Sequence, residues 1–139
     1  MENNSAYIND MVDAYLEAAW WADSPENLAG TYRTPTKRTR AAALADCEQF
    51  CRVALQAGLN LTHVSKPNYI SASEAGNNLW LTRQHHGAGF WDCNPKGEPS
   101  SDGAVYRQWD KATGDKLTKL AHAMGERHVW AVGQYFNID

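Results

Sequence analysis

Thirteen consecutive residues, Trp80-Leu81-Thr82-Arg83-Gln84-His85-His86-Gly87-Ala88-Gly89-Phe90-Trp91-Asp92, gather two imidazoles, a guanidinium, a carboxylate and two indoles. Read as a β-hairpin, the stretch sets residues of opposite strands about 5 Å apart, so that Asp92 faces Arg83 or a histidine and orients it. Two uses follow. In one, His86 exchanges a proton or holds a ligand while Asp92 fixes its tautomer, and Gly87 and Gly89 admit a ligand or a second backbone. In the other, the glycines serve the turn, Phe90 and Trp91 pack the core, and an Arg83–Asp92 pair closes the hairpin. No nucleophile or phosphate motif lies alongside, which favours the second use over catalysis and leaves binding by Arg83, His86, Gly87, Gly89, Trp91 and Asp92 open.

Metal binding is not expected. Adjacent His85 and His86 on an extended segment point to opposite sides, and neither they nor Cys93, His63, His122 and His128 form the H-x-x-x-H or CxxC pairs of metal sites. Cys47 and Cys51 fall on the apolar stripe of a predicted helix and read as core packing, whereas Cys93 beside a loop is the more reactive thiol. Lys37, Arg38 and Arg40 form a basic cluster at a helix start, whose free N–H groups can receive a phosphate or carboxylate; the same cluster is also an ordinary solvated patch. Of six tryptophans, Trp20, Trp80, Trp91 and Trp130 fall on apolar faces and are expected in the core. Trp21, off the stripe of its helix, and Trp109, at a loop end, are candidate exposed anchors for a partner.

An α+β domain must position these groups. Ile8, Met11, Val12, Tyr15, Leu16, Ala19 and Trp20 recur at helical spacing and predict a helix over 6–22, stopped at Asp23-Ser24-Pro25. Thr36 is placed to cap a second helix with the stripe Leu44, Cys47, Phe50, Cys51, Ala54 and Leu55, ending at Gly58. Ser71-Ala72-Ser73-Glu74 has the form of a capping box and predicts a short helix over 72–77. Leu79–Arg83 and Gly89–Asp92 then supply the hairpin strands. Residues 93–109 read as a long loop pinned by Val105, Tyr106 and Trp109, 111–124 as a third long helix and 128–135 as a strand. Helices segregated from a small antiparallel or mixed sheet make one α+β domain over 1–139.

Composition, with 43% apolar and 21% charged residues, is that of a globular chain. No apolar run approaches the roughly 20 residues that cross a bilayer, and Met1-Glu2-Asn3-Asn4 lacks the basic start of an export signal, so no membrane association is expected. Three cysteines without a CxxC pair fit free thiols in a reducing compartment. A net charge of −3 provides no positive field for counterion release, which argues against direct nucleic-acid binding, and is too small for a DNA mimic.

Tyr15–Trp20, Asp46–Phe50, Leu79–Arg83 and the string His86-Gly87-Ala88-Gly89-Phe90-Trp91-Asp92, followed by Gly114–Thr118 and Ala121–Glu126, carry a likeness over most of the chain after residue 10. In these segments the sequence resembles a family of small proteins encoded by tailed bacteriophages and related mobile elements. It departs where that family carries Arg-Gly after the aspartate, since Cys93-Asn94-Pro95 opens a loop here. The resemblance implies a phage product acting in the bacterial host cytoplasm and supplies no activity. The expectation is a non-enzymatic protein, without a cofactor, that binds and blocks a bacterial host protein such as a component of a CRISPR or other defence system. The alternative is a small-molecule or nucleotide binder, with hydrolytic chemistry at most weak, centred on Arg83, His86 and Asp92.

Overall fold

The computed structural model describes residues 4–92 and 109–139. Helical spacing near the N-terminus is realised as α1 (Ser5–Asp23), and every residue of its expected stripe is buried. Burial of side chains this large contributes about 1.5–3 kcal/mol each. A single 3-10 turn (Glu26–Leu28) and the two-residue strand β1 (Thr34–Pro35) lead to α2 (Lys37–Gln56). Thr36 caps α2 as read, its hydroxyl accepting the Thr39 N–H. The helix stops because Gly58 takes φ +88° and the Leu59 N–H turns back to the Ala54 carbonyl at 2.9 Å, which satisfies a carbonyl left over by the helix end.

Ser71 caps the next element, accepting the Glu74 N–H, but the helix does not stop at residue 77. It runs on as α3 (Ala72–Arg83) through Leu79-Trp80-Leu81, so the expected hairpin over 79–92 is replaced by a helix and the turn that ends it. The physical reason is burial on several faces: Ala75, Gly76, Asn78, Leu79, Trp80, Thr82 and Arg83 are all enclosed. A helix so enclosed lacks the one-sided stripe by which helices are recognised, and tertiary contacts override the strand preference of its residue types. Its end closes like that of α2, with the His86 N–H on the Leu81 carbonyl at 2.9 Å and the His85 N–H on the Thr82 carbonyl at 3.0 Å. His85 occupies the left-handed position at φ +60°, where glycine is usual, and its ring stacks on His122 at 4.3 Å.

α4 (Lys111–Ala123) starts at Asp110, whose carboxylate accepts the Thr113 N–H at 2.8 Å; hydrogen bonding from Thr113 holds that carboxyl below its usual range. The single strand expected over 128–135 is instead a hairpin, β2 (Val129–Val132) and β3 (Tyr135–Ile138). The sheet order is β1-β3-β2, with β2 antiparallel and β1 parallel to β3, and Pro35 opposite Phe136. The α+β class and the mixed sheet therefore hold. Among the described residues no helix is long and apolar enough to cross a membrane.

The core forms where α1 lies chiefly on α3 and more lightly on α2. Tyr15 meets Trp80 edge to face at 5.2 Å, and Phe50 stacks on Phe90 at 5.3 Å. Burial raises the pKa of Tyr7, Tyr15 and Cys47, and pushes the Cys51 thiol up to about 12. The folded state therefore keeps neutral four groups that the unfolded chain ionises near their ordinary values of 9.0 and 10.0. Because the native state holds more protons there, stability is full below about pH 9 and falls as pH rises further. Urea midpoints at pH 8, 9.5 and 10.5 should decline in that order, and Cys47→Ala should lessen the decline.

Candidate functional site

Arg83, the guanidinium picked out from sequence, is 3% exposed and pairs not with Asp92 but with Asp46 of α2. Its Nη1 donates to Asp46 Oδ2 at 3.0 Å and to the Tyr15 hydroxyl at 2.8 Å. Nε and Nη2 donate to the carbonyls of Gly125 and Met124, which the end of α4 leaves free. Arg127 approaches the same carboxylate from the other side, Nε to Oδ2 at 2.6 Å and Nη2 to Oδ1 at 2.9 Å. The Tyr15 hydroxyl donates to Asp46 Oδ2 at 2.7 Å. Burial, reinforced by that carboxylate, keeps Tyr15 protonated, and hydrogen bonding to Asp46 raises the Arg127 pKa. Two guanidinium groups thus share one carboxylate and join α1, α2, α3 and the segment after α4. The sequence carries one signal for this cluster: Asp46 sits three residues after Ala43 and four before Phe50, on the buried face of α2.

His86 is likewise committed elsewhere. Its Nε2 lies 2.9 Å from Asp23 Oδ2, the oxygen that also accepts the Trp80 indole N–H at 2.6 Å. Asp23, at the end of α1, replaces Asp92 as the carboxylate that orients the ring. His86→Ala should leave Asp23 with Trp80 alone and cost about 1 kcal/mol, since the ring and the carboxylate keep partial access to water. A melting curve should register this as a fall of about 3 °C.

Of the remaining residues of the motif, Gly89 and Phe90 pack. A Cβ on Gly89 would stand 2.3 Å from Thr82 Oγ1, and the Phe90 N–H donates to that same hydroxyl at 3.0 Å. Phe90 is fully buried. Gly87 has open space around it, so neither a tight turn nor a close approach requires glycine there. Asp92 is half-buried after this turn. Trp91, expected in the core, is 48% exposed, whereas Trp109, read both as a pin for the loop end and as an exposed anchor, is buried, as the pin requires. The Trp109 indole donates to the Phe90 carbonyl at 2.7 Å, a bond that anchors the start of α4 to the motif. Trp130 is half-buried rather than central, and Trp21 is 53% exposed, as read. Arg83 and His86 thus take carboxylate partners other than Asp92.

In the basic cluster, Arg38 pairs with Asp139 and Arg40 with Asp13 at 2.9 Å, so carboxylates already neutralise both guanidinium groups beside the start of α2. Lys37 is exposed. Cys47 and Cys51 are free thiols, the first buried and the second half-buried, both raised in pKa by burial, as core packing requires. Cys93, Val105, Tyr106 and most of the 93–109 loop lie outside the described residues. Among the described residues no group of three His, Cys, Asp or Glu side chains is arranged to hold a metal ion.

Two concavities of the described surface bear on binding. A cleft of about 650 Å³ opens between the start of α1, α2 and the loop after α2. Ile8, Cys51 and Leu61 form its floor, Leu44 and Leu55 its exposed apolar rim, and Glu48 and Arg52 its charged edge. These two leucines belong to the expected α2 stripe, yet α2 leaves them 37% and 58% exposed. A second depression, of about 300 Å³, lies beside Trp21 between α1 and α3.

No family model, curated protein or solved structure matches the chain.

Proposed function

We propose that this chain is a non-enzymatic binding protein of bacteriophage type that docks on a bacterial host protein in the host cytoplasm and blocks it, as an anti-defence factor does. The observation that carries the reading is the cleft between α1 and α2, where Leu44 and Leu55 face solvent over an apolar floor. An apolar centre with a polar rim is the anatomy of a protein interface, and burying it against a partner removes apolar surface from water. The groups that would have served catalysis point the same way. Arg83 is held by Asp46, and His86 by Asp23, so both support packing. The phage context rests on the likeness of the His86–Asp92 string and the segments around it.

The experiment is affinity capture from bacterial lysate with the wild-type chain and with a Leu44→Asp/Leu55→Asp variant. Recovery of one stoichiometric host protein by the wild type, lost in the folded variant, is the expected result. Capture of no stoichiometric protein, or of the same protein by both chains, would overturn the reading. Nucleotide or metabolite released on denaturing the natively purified protein would favour a small-molecule binder instead.

A further inference from the structure

We propose that the depression beside Trp21 receives an arginine side chain of a protein partner. It shares no lining residue with the apolar cleft, so this proposal stands apart from the function proposed above and neither depends on the other.

The depression is built by helix packing. Ala14, Glu17, Ala18 and Trp21 recur at helical spacing on one face of α1, and α3 brings Glu74 alongside. The two helices approach closely at Gly76, where a Cβ would stand 2.1 Å from the Met11 carbonyl oxygen. Ala14 and Ala18 leave room for an aliphatic stem. Trp21, 53% exposed, gives an indole face that attracts cations. Glu17 and Glu74 add two carboxylates, and among the described residues no Lys, Arg or His lines the site.

This complementarity selects a cation. A guanidinium fits better than an ammonium because it is planar, stacks on an aromatic face, donates to two carboxylates at once and is more weakly hydrated. The volume, about 300 Å³, is at the lower limit of small-molecule sites and suits one inserted side chain. Tryptophan and arginine are also the residue types that dominate interface hot spots.

The test is an NMR titration of the full chain with N-acetyl-arginine amide, following the indole N–H of Trp21 identified by its loss in Trp21→Phe. N-acetyl-lysine amide and tetramethylammonium are titrated in parallel. Saturable shifts of the Trp21 signal are expected, strongest with the arginine amide. Binding should weaken on the order of fivefold in Glu17→Gln/Glu74→Gln and, followed on the backbone amides of Ala18 and Asn77 that line the site, vanish in Trp21→Ala, with circular dichroism unchanged. Glutamine at 74 still accepts the Asn78 amide hydrogen that Glu74 Oε2 accepts at 3.1 Å, so the variant keeps that local contact. No saturable shift, an equal response in the variants, or a preference for tetramethylammonium over the arginine amide would each overturn the proposal.

Discussion

Asp46→Asn is expected to cost about 3–5 kcal/mol, the loss seen when one member of a buried ion pair is removed and its partner keeps its charge. Asparagine preserves the volume but leaves Arg83, 3% exposed, facing Arg127 with no negative charge between them. A domain of this size has about 5–15 kcal/mol to lose, so the variant should unfold at a much lower urea concentration or fail to fold at 37 °C. Replacing the whole set, as Asp46→Leu/Arg83→Met/Arg127→Met, should recover much of the loss, because apolar side chains of similar volume need no charge partners. Urea unfolding followed by circular dichroism measures both. A loss under 1 kcal/mol for Asp46→Asn would show that water reaches the cluster and that Arg83 is available for other work.

Gly76→Ala should also be strongly destabilising, against the usual trend. Alanine in place of a helical glycine ordinarily gains about 1 kcal/mol. Here the added Cβ would sit 2.1 Å from the Met11 carbonyl oxygen and 2.9 Å from the Tyr15 nitrogen. Both are backbone atoms of α1 that no rotamer change can move aside, so the two helices must separate, and overpacking of this kind costs about 3 kcal/mol. Gly87→Ala, where the space is open, serves as the control and should be nearly neutral. A Gly76→Ala variant as stable as wild type would mean that α1 and α3 are farther apart than described.

Much of this architecture is legible from residue spacing, and the largest failure traces to one helix. α1, α2 and α4 each turn one face to the core, and their stripes and the capping residue Thr36 are local signals. α3 is enclosed on several sides, so Leu79-Trp80-Leu81 shows no helical stripe and reads as strand. That misreading then misassigned the polar partners. On a hairpin Asp92 faces Arg83, whereas on a helix Arg83 reaches Asp46, 37 residues away in sequence, and His86 reaches Asp23, 63 residues away. Spacing along the chain cannot reveal such pairs. Trp21 was legible because it falls off the stripe of a well-read helix. Trp91 was not, because it lies in irregular backbone, where no period tells inside from outside, and for the same reason Trp109 admitted both a buried and an exposed reading.

The sheet has a consequence for how the chain reaches this state. β1 contributes two residues, and hydrogen bonds at its end join Thr36 and Thr39 to Asn137 across 101 and 98 residues. Contacts of such long range are entropically demanding to close and slow the search for the native topology. The packing of α1 against α2 and α3 spans shorter stretches of chain and should form first. During synthesis the helical layer would then wait, with the Trp20 face that meets Phe136 still uncovered, until residues 135–138 emerge and zip onto β1. Exposure in that interval, more than final stability, would set the tendency of the nascent chain to aggregate.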